Sequence, residues 1–171
     1  MGKIKIDMKK AFTLIELLVV IGVLAILLTI TLIAINPARQ FAQSNNTRRR
    51  SDINAMLNAI HQYSVDNRGT ITPLGIPVDD GDPLNGSEAL VIGSGVGQVD
   101  ICALLVPTYI SALPVDPQDG SSSDGNGAPV SDCTQAYDTA YTVVQSAVAT
   151  NIRITVAAPG AEIAEIITVT R

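Results

Sequence analysis

The chain has no tryptophan, a single histidine (His61), two cysteines, and no lysine beyond Lys10. Each shortage closes off a class of chemistry. One histidine beside two cysteines is too few ligands for a zinc site. No serine stands in a nucleophile elbow. Asp79, Asp80 and Asp82, the nearest approach to an acid–base set, fall in a Gly/Pro-rich stretch with no histidine nearby. No catalytic constellation emerges, so the expectation is that the chain is not an enzyme. With two Phe, four Tyr and no Trp, any core must be built from aliphatic side chains. Charged residues are also scarce, 16% against 47% hydrophobic, and mean hydropathy is +0.32. That excludes a disordered chain.

What is present is unevenly spread. All four lysines (Lys3, Lys5, Lys9, Lys10) stand in the first ten residues, and formal net charge is −5. Beyond Ala11, seven basic residues face fifteen acidic ones, a net −8. So acidic a body argues against nucleic acid as a partner, because phosphate contacts need basic side chains. Cys102 and Cys133 form a natural disulfide pair if this part of the chain meets an oxidising compartment. By chain entropy, closing that loop contributes roughly 3–4 kcal/mol.

From Phe12 to Ile35 the only ionisable side chain is Glu16. As a helix this stretch reaches about 36 Å, against about 30 Å of hydrocarbon. It can span a bilayer, with the lysines marking the cytoplasmic end and everything after Asn36 outside. A cleaved secretory signal fits poorly, since Ile33-Ala34-Ile35-Asn36-Pro37 lacks a small-x-small site. A lipoprotein signal would need a cysteine here. A carboxylate inside the membrane costs roughly 3 kcal/mol and calls for a partner.

Lys9-Lys10-Ala11-Phe12-Thr13-Leu14-Ile15-Glu16-Leu17-Leu18-Val19-Val20-Ile21 closely resembles the class III signal of type IV pilins and type II secretion pseudopilins. The resemblance implies that a membrane aspartic peptidase, the prepilin peptidase, cuts between Ala11 and Phe12 and methylates the Phe12 amine. The family usually carries glycine before the cut, where this chain has Ala11. The resemblance also gives Glu16 a partner: its carboxylate pairs with the terminal amine of a neighbouring subunit and sets axial register, a role in which a buried pair specifies geometry more than it adds stability. Further partners implied are copies of the chain itself in a helical homopolymer, an inner-membrane platform protein and a cytoplasmic assembly ATPase.

Beyond the span, Asn36-Pro37 punctuates the helix in one of two ways: the proline kinks a single rod, or Asn36 caps a new helix starting at Pro37. Residues 42–52 are polar all round, rich in caps and turn formers. Arg48-Arg49-Arg50 reads as a solvated face or, given the acidic C-terminal part, as an inter-subunit contact. Ile53, Met56, Leu57, Ile60 and Tyr63 recur at helical spacing and should dock on a sheet, with a stop near Asp66–Gly69. Residues 70–99 are loop-like with a short strand at 89–92. Ile92–Gly97 only superficially resembles a dinucleotide fingerprint. Tyr141–Gln145, Asn151–Val156 and Ile166–Thr170 are β-branched and read as an antiparallel meander, with Ile152, Ile154 and Val156 facing the helix.

Leu113-Pro114-Val115-Asp116-Pro117 is similar to a segment of pseudopilins and related pilins that leads into a loop binding calcium in some members. Asp116, Asp119 and Asp124 are the candidate oxygen ligands, a flexible acidic turn being the alternative. No other cofactor is expected.

The expected fold is α+β and pilin-like: a long N-terminal helix, membrane-spanning in its first half and amphipathic in its second, packed on a small antiparallel sheet. The domains expected are a cleaved leader (1–11), a transmembrane and filament-core helix (12–36), an amphipathic helix entering the head (37–68) and a globular head (69–171). The precursor is expected in the cytoplasmic membrane, single-pass with its C-terminus outside, and then in an extracellular filament or periplasmic pseudopilus. Three functions compete: a type IV pilus-like filament subunit, a type II secretion pseudopilin, and a monomeric membrane-anchored binding module.

Overall fold

The computed structural model describes residues 12–80, 88–123, 125–147 and 152–171. Helix α1 spans Leu14–Ile35 and ends at Asn36, whose backbone is left-handed (φ 47°). Helix α2 starts at once, at Pro37, and runs to Asp66. Proline suits a first helical position because its missing N–H would have no helical acceptor. Of the two expected arrangements the structure has the second: Asn36 caps α2, its side-chain oxygen accepting from the Arg39 N–H at 3.3 Å. The far end also closes as expected: Gly69, at φ 85°, donates its N–H to the Ser64 carbonyl at 2.7 Å.

The chain falls into two compact units, one ending at Gln40 and one running Phe41–Arg171. The first holds α1, a helix long and apolar enough to cross a membrane. In the second, α2 lays one stripe on a sheet. Ile53, Met56, Leu57 and Ile60 have no exposed surface, and Tyr63 almost none.

Opposite that stripe, β5 (Asp138–Ser146) is the central strand. It pairs antiparallel with β6 (Ile154–Ala158), which pairs antiparallel with β7 (Ile167–Thr170). On its other side β5 meets β2 (Leu90–Gly93) antiparallel, and a two-residue β1 (Val78–Asp79) in parallel. A small hairpin of β3 (Ser121–Ser122) and β4 (Gly125–Asn126) joins β5 through Ser121. Inward residues alternate along β5 and β6: Tyr141 and Val143, then Ile154, Val156 and Ala158 are buried. The architecture is the expected α+β pilin-like one.

One detail departs from the sequence reading. Ile152 lies outside β6 and is 44% exposed, so the inward series begins at Ile154 and ends at Ala158 instead. The polar stretch 42–52 lies within the helix expected over 37–68, its side chains finding partners elsewhere in the head. The short helix α3 (Cys102–Leu105) precedes Pro107, and a Cys102–Cys133 disulfide ties it to the segment entering β5.

Candidate assembly site

At the start of α1 a capping box forms. Thr13 accepts the Glu16 N–H on its hydroxyl, at 3.3 Å. The Glu16 carboxylate in turn accepts the Thr13 N–H and the Thr13 hydroxyl, both at 2.8 Å. Both bonds fall on Oε2, and Oε1 has no partner among the described residues. The carboxylate is therefore fixed against the first turn with one oxygen still available. Around it nothing is covered: α1 has no buried residue, and Phe12 is 82% exposed. Ala11 and the leader lysines lie outside the described residues.

A second polar centre holds the head together. Arg49 is completely buried on α2, and all five of its N–H donors are used. Nε donates to Asp116 Oδ2 at 2.7 Å and Nη2 to Asp116 Oδ1 at 3.0 Å, a bidentate grip. Nη2 also reaches Gln118 at 3.1 Å. Nη1 donates to Glu162 at 3.0 Å and to Asn46 at 3.1 Å. Asn46, itself buried, accepts the Glu162 N–H and donates to the Glu162 carbonyl and to Glu165. Arg50 pairs with Glu165. Arg48 donates to the Gly127 carbonyl at 2.8 Å and stands 3.7 Å from Asp52. Both readings of the arginine triplet are thus corrected for Arg49, which is neither solvated nor open to a neighbour. A burial-minded reading of the i, i+4, i+7, i+11 ridge (Ala42, Asn46, Arg49, Ile53) would have signalled it.

Electrostatics follow from this geometry. Burial raises the Asp116 carboxyl, but Arg49 and the N–H groups of Gln118 and Asp119 outweigh it and hold the group below the usual carboxylate range. The hydrogen bond from Asn45 and the Arg49 guanidinium hold Glu162 low as well. Asp52 moves the other way: burial raises it, even though the Tyr141 hydroxyl donates to it at 2.9 Å.

Of the three carboxylates in the calcium expectation, Asp116 is engaged by the Arg49 cluster. Both Asp116 oxygens are occupied, and Arg49 already balances its charge. Asp119 lies beside it, in a space that only glycine leaves open: a Cβ at Gly160 would stand 2.5 Å from the Asp119 carboxylate. Asp124 lies outside the described residues. Asp116 is the ion-pair partner of Arg49. The sequence reading also missed Asp79, Asp80 and Glu88 as a group, whose carboxylates come within 4.8 Å of one another; Asp82 is outside the described residues. His61 is half-buried on α2 beside Tyr109, with Nε2 unpartnered among the described residues.

Residues 6–32 match the family model for the prokaryotic N-terminal methylation motif. No curated protein and no solved structure shows significant similarity to the chain. The matched segment takes in the Phe12–Glu16 capping turn and most of α1. The chain thus carries the prokaryotic N-terminal methylation motif of a class III signal, followed by a long apolar helix and a small antiparallel sheet, and in this it is similar to type IV pilins and pseudopilins.

Proposed function

We propose that this chain is a structural subunit of a type IV pilus-like filament. The observation that carries the reading is α1: apolar on every side, buried nowhere among the described residues, and bearing one carboxylate at its first turn. Such a surface is stable in lipid or against other helices of the same kind, and not in water. Cleavage between Ala11 and Phe12 leaves a methylated, positively charged amine one turn from Glu16. Moving from bilayer to filament core, the helix exchanges lipid for neighbouring helices, and Glu16 gains the Phe12 amine of an adjacent copy. The precursor sits in the cytoplasmic membrane with its C-terminus outside. An assembly ATPase acting through an inner-membrane platform protein supplies the work of extraction.

A second reading, a type II secretion pseudopilin that forms a short periplasmic filament, is favoured by Leu113–Pro117. Leu113 and Val115 are fully buried and Asp116 is clamped by Arg49, so the segment is part of the head's architecture rather than a surface loop.

The test is the intact mass of the protein recovered from envelopes or shed filaments. The expected mass begins at N-methylated Phe12, and amine-directed labelling finds no lysine, since none follows Lys10. A mass retaining residues 1–11 would instead mark a membrane-tethered binding module and end the filament reading.

A further inference from the structure

The connection from β6 to β7, residues 159–166, is turned inside out. Its carboxylates point inward, Glu162 to Asn45 and Arg49, Glu165 to Asn46 and Arg50. Its large aliphatics point outward: Ile163 is 48% exposed and Ile166 88%. A single exposed aliphatic needs no explanation, but here the backbone is bent to produce the exposure. Ile163 and Ala164 both adopt left-handed dihedrals, φ 61° and 53°, which a β-branched side chain strongly disfavours. Glycine or asparagine would sit there at ease. The bonds to Arg49, Arg50, Asn45 and Asn46 impose the shape. Strain of this kind persists only where the surroundings over-determine it, and it clusters at functional sites.

Charge indicates what the turn contacts. From Gly69 to Arg171 there are twelve acidic residues and two arginines, so most faces of one head repel another. This turn differs, because α2 supplies an arginine to each of its carboxylates. A second copy also offers a surface free of repulsion: no acidic residue lies between Glu16 and Asp52. In that acid-free stretch Phe41 stands 70% exposed on α2, one helical turn before Asn45 and two residues after the cationic Arg39.

We infer that the 159–166 turn is a subunit contact, in which Ile163 and Ile166 of one copy pack on the Phe41 end of α2 in a neighbouring copy. The contact is heterologous, turn to helix, and so propagates a filament instead of closing a dimer. The inference rests on the filament reading above and adds the head's share of the interface to that of α1.

Both native cysteines are joined in a disulfide, so Ile166→Cys introduces the one free thiol. Maleimide labelling of that variant is expected to be at least tenfold slower in filaments than in detergent-dispersed subunits. Co-expressing Ile166→Cys chains with Phe41→Cys chains and oxidising the filaments is expected to give a disulfide-linked dimer. Equal labelling rates, or assembled filaments without that dimer, overturn the contact while leaving the filament reading intact. Failure of the unmodified chain to form filaments overturns both. Should Ile166→Cys fail to assemble, Ile166→Val and Ile166→Asp decide the matter. Valine is expected to preserve filament yield, and aspartate to lower it at least tenfold with membrane-held subunit unchanged; equal yields for the two overturn the contact.

Discussion

Two successive helices solve opposite problems. Helix α1 is apolar around its whole circumference and buries none of its 22 residues. Helix α2 is polar over most of its 30 residues, yet buries nine, among them an arginine and an asparagine. Average polarity therefore says which medium a helix meets, while periodicity says whether its own chain will cover it. In α1 there is no stripe, and none of the described residues covers it. In α2 the stripe is strict, and even its polar members go inside once each donor has an acceptor.

The comparison breaks most severely at Glu16, the one charge in the uncovered helix. Glu16→Ala is expected to leave membrane insertion intact, since it removes a cost of burial, and to abolish filaments, since the Phe12 amine loses its partner. Counting surface filaments beside membrane-held subunit checks both halves. Normal filaments from that variant would remove the pairing role.

Next in size is the one charge buried in the covered helix. Arg49→Met leaves Asp116 buried and unpaired, and breaking such a pair costs about 3–5 kcal/mol. Arg48→Met, which removes a half-exposed guanidinium 3.7 Å from Asp52, should change stability by no more than about 1 kcal/mol. Thermal melts of the detergent-solubilised chain separate the two. Equal shifts would mean that the Arg49 cluster is no more than a surface network.

The same substitution placed in both helices sharpens the contrast. Leu57 has no exposed surface, whereas Leu24 is half exposed. Leu57→Ala should destabilise the head by about 2–5 kcal/mol. Leu24→Ala should leave its melting unchanged and register only in assembly.

The α1 helix, the Ile53–Tyr63 stripe, the Asp66–Gly69 stop and the β5–β6–β7 meander were all legible from the sequence. In each, a local pattern of apolar spacing or turn chemistry agrees with the final packing. Arg49 was not legible, because three consecutive arginines look solvated until the loop bearing Asp116 and the turn bearing Glu162 are brought to them from 67 and 113 residues away. The guanidinium partner of Asp116 was not legible for the same reason: a carboxylate in a Pro/Gly loop suits an ion or a guanidinium equally, and only tertiary structure brings Arg49 to it. Ile152 was assigned inward by extending an alternation one step too far. The left-handed turn at Ile163 left no trace at all, since isoleucine is among the last residues one would place there.

The smallest effect concerns pH and turns on opposite signs within the head. Asp116 and Glu162 are held below their unfolded values, Asp116 against the pull of burial and Glu162 chiefly by the bond from Asn45. The stability they contribute is fully present above the unfolded carboxylate range, about pH 4, and is lost as pH falls through their folded values. Asp52 is raised by burial, so it costs stability as pH rises through its own titration, and acid relieves it. Melting temperature should therefore stay nearly level from pH 8 to about 5 and fall below about 4. Asn in place of Asp52 still accepts the Tyr141 hydroxyl without bringing a second negative charge toward Asp116. Asp52→Asn should melt slightly higher at neutral pH, by less than Arg49→Met lowers it, and should fall more steeply in acid because the opposing contribution is gone. An acid limb that Asp52→Asn leaves unchanged would show that Asp52 titrates as though it were in water, and that the buried polarity of α2 is confined to Arg49 and the groups that hold it.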